Sequence, residues 1–263
     1  MTVMADDSFA HRCLTDLSIG LSFLTRLPLA PPHPVAKGEL SAALWCAPLV
    51  GIVVGLGGAA VYGLASALHL PPWPTAVLAV AATVLLTGGL HEDGLADVAD
   101  GFGGGASRER KLEIMRDSRI GTYGVCALVV SFMLRVGALA NLGEPSLVAA
   151  ALVAAHAAGR ATMPAFMARV PPARSDGLSA EAGQPPSSSS TVALLIGLVP
   201  LLIALGLGLS VLTVLLLAAG SGLLAWLCRR QIGGQTGDVI GALEQTGEIV
   251  VLLVATAAVS GLR

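Results

Sequence analysis

The segment GGLHEDGLADVADGFGGG, residues 88–105, combines clustered acids with a run of glycines. Asp93, Asp97 and Asp100 are spaced i, i+4 and i+7, so on a helix they point from one face, and Glu92 lies on the adjacent stripe. Carboxylates this close repel one another unless a cation lies between them. Oxygen ligands on one helical face suit Mg²⁺, which keeps waters and shares its shell with substrate phosphates. We therefore expect Glu92, Asp93, Asp97 and Asp100 to be catalytic acids that bind Mg²⁺.

A glycine run and a basic segment follow these acids. The backbone of GFGGG, residues 101–105, can approach a ligand closely and offer N–H groups to phosphate oxygens. Ser107 is predicted to cap the helix that comes next. The order acid, glycine, base favours Mg²⁺-assisted diphosphate chemistry, in which metal, amides and cations share the negative charge. The residues that we expect to contact phosphate are Gly103, Gly104, Arg110, Lys111 and Arg119.

Several other ionisable residues lie in or beside apolar segments. His91 could be a general base or a phosphate contact, or an interfacial histidine bonded to backbone. Arg160 forms an i, i+4 pair with His156 and is predicted to reach an anionic ligand, because ionisable groups at membrane depth are functional candidates. Arg135 could instead be a structural partner for an acid.

A second acidic segment, GGQTGDVIGALEQTGE, occupies residues 233–248. Asp238, Gln245 and Glu248 share a helical face, and the glycines at 234, 237 and 241 allow close approach. This face could complete a binuclear metal site, bind a hydroxyl-rich substrate, or pack two helices tightly. Asp238 is the residue of this segment that we expect in the site.

Composition places the chain in a membrane. Of its 263 residues 54% are hydrophobic and 12% are charged, against roughly 25% charged in soluble domains. The mean hydropathy of +0.79 predicts an all-α, polytopic helical bundle, with about 6–8 transmembrane or re-entrant helices. The net charge of −2 gives no bulk attraction to nucleic acid. The cysteines stand singly, so neither a disulfide framework nor a zinc site is expected.

Long apolar runs mark the expected crossings, each of roughly 20 residues. Residues 191–228 are too long for one crossing, and Gly206 offers a turn that would divide them. The segment Leu14–Leu29 is interrupted at Arg26 and could be a short span, a re-entrant piece or an interfacial helix. The other expected spans are 42–68, 75–90, 122–142, 146–168 and 245–262.

The placement of Lys and Arg predicts the orientation. The connections 71–74, 143–145 and 206–210 carry neither residue. The opposite face carries many, so we expect the long polar loops and the active site on the cytoplasmic side of the inner membrane. These cations are Arg26, Lys37, Arg108, Arg110, Lys111, Arg116, Arg119, Arg169, Arg174, Arg229 and Arg230.

No internal repeat divides the chain, and we expect one membrane-embedded domain at 1–263. Within it, residues 91–121 would form a cytoplasmic catalytic loop. The loop 171–190 is rich in Pro, Ser and Gly and is expected to be a flexible connection. The acidic N-terminus, residues 1–13, lacks the features of a secretory signal and is expected to be a cytoplasmic tail.

The two long motifs of the chain resemble the signature of the cobalamin synthase family, the adenosylcobinamide-GDP ribazoletransferases. GGLHEDGLADVADGFGGG and ERKLEIMRDSRIGTYG carry the resemblance, and FLTRLPL at 23–29 and GGQTGDVIGALEQTGE agree with it. The resemblance implies the last assembly step of the cobalamin nucleotide loop, at the cytoplasmic membrane. A hydroxyl of α-ribazole, or of its 5′-phosphate, attacks the cobinamide-proximal phosphate of adenosylcobinamide-GDP, and GMP leaves. It also implies Mg²⁺ as cofactor.

Other readings remain open at this stage. Asp97-Val-Ala-Asp100-Gly101 begins like the motif of CDP-alcohol phosphotransferases, but the Ala-Arg of that motif does not follow. The DDxxD of aspartate-rich prenyltransferases is absent. A transporter is the alternative from another class, although the polar residues concentrate on one face. The lipid bilayer is an expected partner, nucleic acid is not, and a homo-oligomer is possible.

Overall fold

The computed structural model describes residues 9–260, with Ser260 in its backbone only. Residues 1–8 of the expected tail and 261–262 of the last apolar run lie outside this part. Every regular element within 9–260 is a helix, and an isolated parallel bridge joins Pro172 to Gln235. The helices are α1 (Phe9–Leu24), α2 (Glu39–Ala43), α3 (Ala47–Ala67), α4 (Pro72–Thr87), α5 (Leu90–Gly104), α6 (Arg108–Ile114), α7 (Thr122–Leu142), α8 (Pro145–Arg169), α9 (Leu178–Ala182), α10 (Ser187–Ile232) and α11 (Gly237–Ser260).

The helices confirm an all-α, multi-pass membrane protein. Five helical segments of the described chain are long and apolar enough to cross a bilayer, or six when α4 and α5 together count as one broken span. The expected spans 42–68, 122–142 and 146–168 correspond to Glu39–Ala67, α7 and α8. The segment Leu14–Leu29 is mostly α1, whose 16 residues cover only about 24 Å of a hydrocarbon core that is about 30 Å thick.

Two glycines turn the chain sharply between α4 and α5. Gly88 and Gly89 have φ of 69° and 71°, a left-handed conformation that glycine adopts without steric cost. The axes of the two helices differ in direction by 91°. Arg26 packs against Gly88, and its backbone N–H donates to the Leu86 carbonyl at 2.6 Å. The bend therefore directs the acidic helix α5 away from α4 and across the bundle.

The long helix α10 folds back on itself at Gly206, as the sequence predicted. Its 46 residues would reach roughly 70 Å if straight, far beyond the bilayer core. Gly206 has φ 69° and ψ 175°, a combination that is essentially restricted to glycine. Residues on both sides of the break line one groove against α8. The helix is therefore a hairpin with two antiparallel arms.

The hairpin turn gives a sharp stability prediction. Gly206→Ala should destabilise the protein by roughly 1–3 kcal/mol, because alanine is strained in this backbone conformation. Nothing lies within 4 Å of the added Cβ, so the loss would come from the backbone alone. Gly208→Ala is the matched control, since its φ is helical and its Cβ also meets open space. Thermal unfolding in detergent should separate the two variants, and equal melting temperatures would contradict the strain.

Helix α8 is the centre of the bundle and packs against α3, α10 and α11. Gly51 and Gly55 of α3 touch its backbone, and a Cβ at Gly55 would lie 2.7 Å from the Val153 Cα. Gly247 of α11 approaches Gly159 in the same way. Small residues let membrane helices come this close. The polar residues that α8 carries in mid-helix are therefore enclosed by other helices.

Candidate functional site

Helices α5 and α11 cross at two glycines, and the crossing brings the two acidic segments together. A Cβ on Gly94 would lie 2.7 Å from the Asp238 carbonyl oxygen, and one on Gly241 would lie 3.2 Å from the His91 Cα. Asp97 experiences the negative charges of Asp93, Asp238 and Asp100, in that order of strength. The sequence predicted the helical row and a place for Asp238 in the same site, but it did not reveal the crossing that brings them together.

A cavity of about 210 Å³ opens at this crossing. His91, Asp93 and Asp238 provide its ionisable wall. The remaining wall is mostly apolar and comes from α1, α2, α5, α8, α9 and α11 and from Leu44 before α3. Such a pocket, apolar with a few convergent polar groups, is typical of small-molecule sites. Its apolar residues include Phe23, Leu24, Leu40, Leu44, Leu90, Met163, Met167, Leu178, Ala182 and Ile240.

The segment 171–190, expected to be a flexible connection, is hydrogen-bonded to the bundle and covers this cavity. The Gln235 N–H donates to the Pro171 carbonyl at 2.8 Å, and the Gln235 carbonyl accepts from the Ala173 N–H at 2.8 Å. The Ser179 hydroxyl donates to the Gln235 side chain at 2.6 Å. Ser179 and Ala182 of the short helix α9 line the cavity, and residues from 187 onward belong to α10.

The acidic row fits a magnesium ion that is shared with a ligand, and it does not form a closed cage. Asp93 and Asp238 line the cavity, and Asp97 follows Asp93 by one turn of α5, so the row offers the carboxylate oxygens that Mg²⁺ prefers. Yet among residues 9–259 no three of these acids have ligand atoms within 4.8 Å of one another. Mg²⁺ commonly uses one or two carboxylates and completes its shell with water and phosphate. The donor set therefore suits a metal that arrives with a diphosphate.

Asp100, predicted as a fourth metal ligand, caps helix α7 instead. Its carboxylate accepts from the backbone N–H of Gly121 at 2.7 Å and of Gly124 at 2.8 Å. A Cβ at either glycine would collide with this carboxylate. The first N–H groups of a helix lack partners within the helix, and a carboxylate there is favoured by the helix dipole. Asp100 therefore fixes the start of α7.

The glycine run is helical, which differs from the phosphate-binding loop that the sequence suggested. Gly103 and Gly104 form the last turn of α5, where backbone N–H groups point back along the helix. A Cβ on Gly103 would lie 2.7 Å from the ring of Tyr123, and Gly105 packs against Lys111. The glycines therefore let α6 and α7 close onto the end of α5.

The basic residues expected to contact phosphate do not converge on the cavity. Arg110 pairs with Glu113 at 3.0 Å, and the Lys111 ammonium donates to the Gln231 side chain at 2.5 Å. Arg119 pairs with Asp117 at 2.6 Å, and its hydrogen bonds lower the pKa of Asp117 to about 2. Ser107 does cap α6, since its hydroxyl accepts from the N–H of residue 110 at 3.2 Å.

Beneath the cavity lies a buried ionic cluster, which comprises Glu92, Arg135, His156, Arg160, Glu244 and Glu248. Arg135 pairs with Glu92 at 2.9 Å and with Glu248 at 3.4 Å. Glu92 therefore points away from the metal-facing row in which it was predicted. The alternative reading of Arg135, a structural partner for an acid, is confirmed.

Arg160 forms the other half of the ionic cluster and does not face a ligand. Its side chain pairs with Glu244 and, at 3.1 Å, with Glu248, and it approaches His156 Nδ1 at 3.1 Å. Its relative exposure is 0%, so a soluble anion has no path to it. Arg160 therefore faces acids of α11 where the sequence suggested a ligand contact, because α11 supplies two carboxylates at the same depth.

His91 joins the ionic cluster to the cavity. Its Nδ1 lies 3.4 Å from the Arg160 guanidinium and 3.6 Å from the Glu244 carboxylate. Its Nε2 is buried and has no hydrogen-bond partner. His91 also lines the cavity beside Asp93. Because Nδ1 accepts from Arg160, the unpartnered Nε2 carries the ring hydrogen and is poised to donate it to a ligand at the cavity wall.

The sequence reading missed two residues of this region. Glu244 is fully buried and lies one turn before Glu248, so the i, i+4 spacing of acids in an apolar helix was the available signal. Arg174 was counted only as a loop cation. Its positive charge acts on Asp238, and its Nη1 is buried without a partner. No local pattern indicated that the loop would return to the acidic row.

The close crossing of α5 and α11 can be tested at Gly94. Gly94→Ala should destabilise the protein by roughly 1–3 kcal/mol, because the new Cβ would press on the backbone of Asp238, which cannot yield as a side chain would. Gly63→Ala in α3 is the control, since its Cβ meets open space. Thermal unfolding of both variants would measure the difference. A Gly94 variant that is as stable as the control would contradict the crossing.

The sequence of the whole bundle matches one family. The model of the family described as "Cobalamin-5-phosphate synthase" matches residues 16–256. The chain is 58% identical to the adenosylcobinamide-GDP ribazoletransferase of Bradyrhizobium diazoefficiens, over 93% of this chain and 94% of the relative. It is 52% identical to the protein of the same name from Mesorhizobium japonicum, over 95% and 96% of the two chains.

A third relative extends the match. The adenosylcobinamide-GDP ribazoletransferase of Azorhizobium caulinodans is 47% identical over 92% of this chain and 95% of its own. No solved structure matches the chain. The family match includes α5, α8 and α11, which build the cavity and the ionic cluster. The chain therefore belongs to the cobalamin-5-phosphate synthase family.

Proposed function

We propose that the chain is an adenosylcobinamide-GDP ribazoletransferase whose chemistry takes place at the cavity between α5 and α11. The enzyme joins the cobinamide-phosphate part of adenosylcobinamide-GDP to α-ribazole or its 5′-phosphate and releases GMP. The observation that carries the proposal is the meeting of two acidic segments, one from α5 and one from α11, at a cavity of about 210 Å³ with a mostly apolar wall. Relatives of this chain carry the name of the same reaction.

Three carboxylates would hold the diphosphate through a metal. Asp93, Asp97 and Asp238 are the ligands that we assign to Mg²⁺, and the remainder of its shell would be water and phosphate oxygen. When bound, Mg²⁺ neutralises charge on the diphosphate and makes its phosphorus a better electrophile. Arg174 would contact the same diphosphate, because its charge already acts on Asp238 and one of its donors has no partner.

A carboxylate of the acidic row would receive the proton of the attacking hydroxyl, and His91 would donate a hydrogen bond to a phosphate oxygen. The His91 Nδ1 accepts from the Arg160 guanidinium at 3.4 Å, so the neutral ring carries its hydrogen on Nε2, which can donate to a ligand oxygen at the cavity wall. The ribazole hydroxyl oxygen forms a bond to the cobinamide-proximal phosphorus, the bond from that phosphorus to the GMP oxygen breaks, and the hydroxyl proton passes to a carboxylate of the acidic row. No other reactant is required. The apolar part of the wall would hold uncharged parts of the two substrates out of water.

The orientation in the membrane belongs to the same proposal. The site, the long connections and most cations of the described residues occur at one end of the bundle, and we assign this end to the cytoplasm by the positive-inside rule. The opposite connections lie together as well, since the Tyr62 hydroxyl donates to the Gly143 carbonyl at 3.2 Å. Both substrates would then reach the site from the cytoplasm, at the inner membrane.

GMP release from adenosylcobinamide-GDP and α-ribazole, by purified protein in detergent, tests this function. We expect release with Mg²⁺ and its loss when EDTA is in excess. Both free and phosphorylated ribazole belong in the assay. The absence of release with either form, from protein that unfolds cooperatively, would contradict the proposal. Activity that requires sealed vesicles would favour a transporter instead.

A further inference from the structure

An apolar groove of about 420 Å³ runs along α8 between the two arms of the α10 hairpin. It lies apart from the acidic cavity and shares no lining residue with it. Its floor is made of small residues, among them Ala158, Ala161, Gly197 and Gly222. Neighbouring leucines on α10, such as Leu194 and Leu223, are exposed to the surroundings, which for these helices are lipid. The groove is therefore open to the bilayer.

The polar side chains in the groove are already satisfied by their own helices. The Thr162 hydroxyl donates to the Gly159 carbonyl at 2.7 Å, and the Ser221 hydroxyl donates to the Leu217 carbonyl at 2.7 Å. The inner wall therefore presents hydrocarbon alone. A nucleotide or a base would find no partner for its polar groups there and would lose hydrogen bonds to water. An unbranched hydrocarbon chain suits such a wall.

The length of the groove matches one leaflet. It extends along α8 from Arg169 to Ala158, and the rise of 1.5 Å per residue makes this roughly 16 Å. The hydrocarbon core of a bilayer is about 30 Å thick, so half of it is about 15 Å. The groove therefore begins at the end of the bundle that carries the site and ends near the middle of the membrane.

Positive charge gathers at the outer end of the groove. Arg169 lines this end, and the Arg229 guanidinium donates to the Arg169 backbone carbonyl at 2.5 Å. Arg230 stacks on Trp226 at 5.4 Å, and tryptophan is typical of the membrane interface. All three arginines are exposed, and none forms an ion pair with a carboxylate of residues 9–259. Their charge is available to an anion.

We propose that this groove binds an anionic phospholipid of the leaflet on the side of the site. One acyl chain occupies the groove along α8, and the phosphate lies against Arg169 and Arg229. The net negative charge of the headgroup makes an anionic phospholipid the preferred one, because cations at the membrane surface attract anionic headgroups. A headgroup with an added positive charge gains less from the same arginines. The lipid would fill the space between the largely exposed α10 hairpin and the helix at the centre of the bundle.

A second copy of the chain suits the groove less well. Two copies in the same orientation would meet about an axis along the membrane normal, with the same surface on both sides. Arg169, Arg229 and Arg230 of each copy would then face those of the other at one depth. Like charges without acids between them repel. A lipid phosphate removes this repulsion, whereas a second copy doubles the charge.

Native mass spectrometry of the full chain tests the proposal. The probes are phosphatidylglycerol and phosphatidylcholine with identical acyl chains, added to delipidated protein in detergent. We expect one phosphatidylglycerol to be retained at least fivefold better than phosphatidylcholine. Gly222→Leu, which fills the groove where a Cβ meets open space, and Arg169→Gln should each lower the retained fraction at least fivefold.

Two controls match these variants. Gly220→Leu adds the same bulk on the same helix outside the groove, where a Cβ also meets open space, and Arg12→Gln removes an exposed charge on α1. Both should retain lipid within twofold of the wild type. Equal retention of the two lipids, or undiminished retention by Gly222→Leu, would overturn the proposal. A wild-type dimer that Gly222→Leu converts to a monomer would overturn it as well, in favour of a second copy.

Discussion

Asp93→Asn should lower the rate of GMP release at least 100-fold while the protein stays folded. Asp93 lines the cavity and is assigned to hold Mg²⁺ against the diphosphate. A metal supplies several kcal/mol of charge stabilisation in the transition state, and each 1.36 kcal/mol is tenfold in rate. Asparagine keeps the shape of the side chain but loses the charge that binds the cation. Asp97→Asn should behave in the same way.

The dependence on Mg²⁺ distinguishes a metal ligand from a residue that only supports the fold. In both variants the Mg²⁺ concentration for half-maximal activity should rise, whereas the melting temperature should stay near the wild-type value. Glu109→Gln is the control, since it removes an exposed carboxylate on the neighbouring helix α6. Wild-type turnover with an unchanged Mg²⁺ requirement in Asp93→Asn would show that the acids of α5 have another role.

Arg160→Met should destabilise the protein by roughly 3–5 kcal/mol, because it leaves a buried carboxylate without its partner. Arg160 is fully buried and contacts Glu244 and Glu248, which are themselves 0% and 1% exposed. Unfolding can be followed with a thiol-reactive dye, since Cys46 and Cys228 are buried and react when the bundle opens. Arg230→Met at the surface should cost far less.

A double variant separates charge from shape in this cluster. Arg160→Met combined with Glu244→Met removes both members of a buried pair, and replacement of such a pair by apolar residues is often close to neutral. The double variant should therefore be more stable than Arg160→Met alone. If it is less stable by the sum of the two single effects, the two residues are not coupled and the pairing is incorrect.

Hydropathy was sufficient to predict the spans because the length and apolar composition of one continuous segment determine whether it can cross the membrane. Glu39–Ala67, α7 and α8 follow from apolar runs of the right length, and Gly206 was recognised because the apolar run 191–228 is too long to cross once. The helical row of acids on α5 was also local, since spacing fixes the face of a helix. Such features need no knowledge of neighbouring helices.

The sequence did not predict which helices pack against each helical face. Spacing placed Arg160 with His156 on α8 but did not reveal that α11 would bring Glu244 to the same depth. Likewise the glycine run could have been a loop, and it became the end of a helix because α6 and Tyr123 pack against it. These outcomes depend on which helices meet, and small residues scattered along several helices decide that.

The ionic cluster also has a consequence for the biogenesis of the protein. Its members enter the membrane in chain order, and Arg135 on α7 follows Glu92 on α5, which is ready to neutralise it. Arg160 on α8 has only His156 beside it until α11, the last helix, delivers Glu244 and Glu248. An uncompensated arginine in lipid is costly. The final helix therefore supplies the carboxylates that neutralise Arg160. A chain that stalls before α11 would leave this arginine without an acidic partner in the membrane, where quality-control proteases could recognise it.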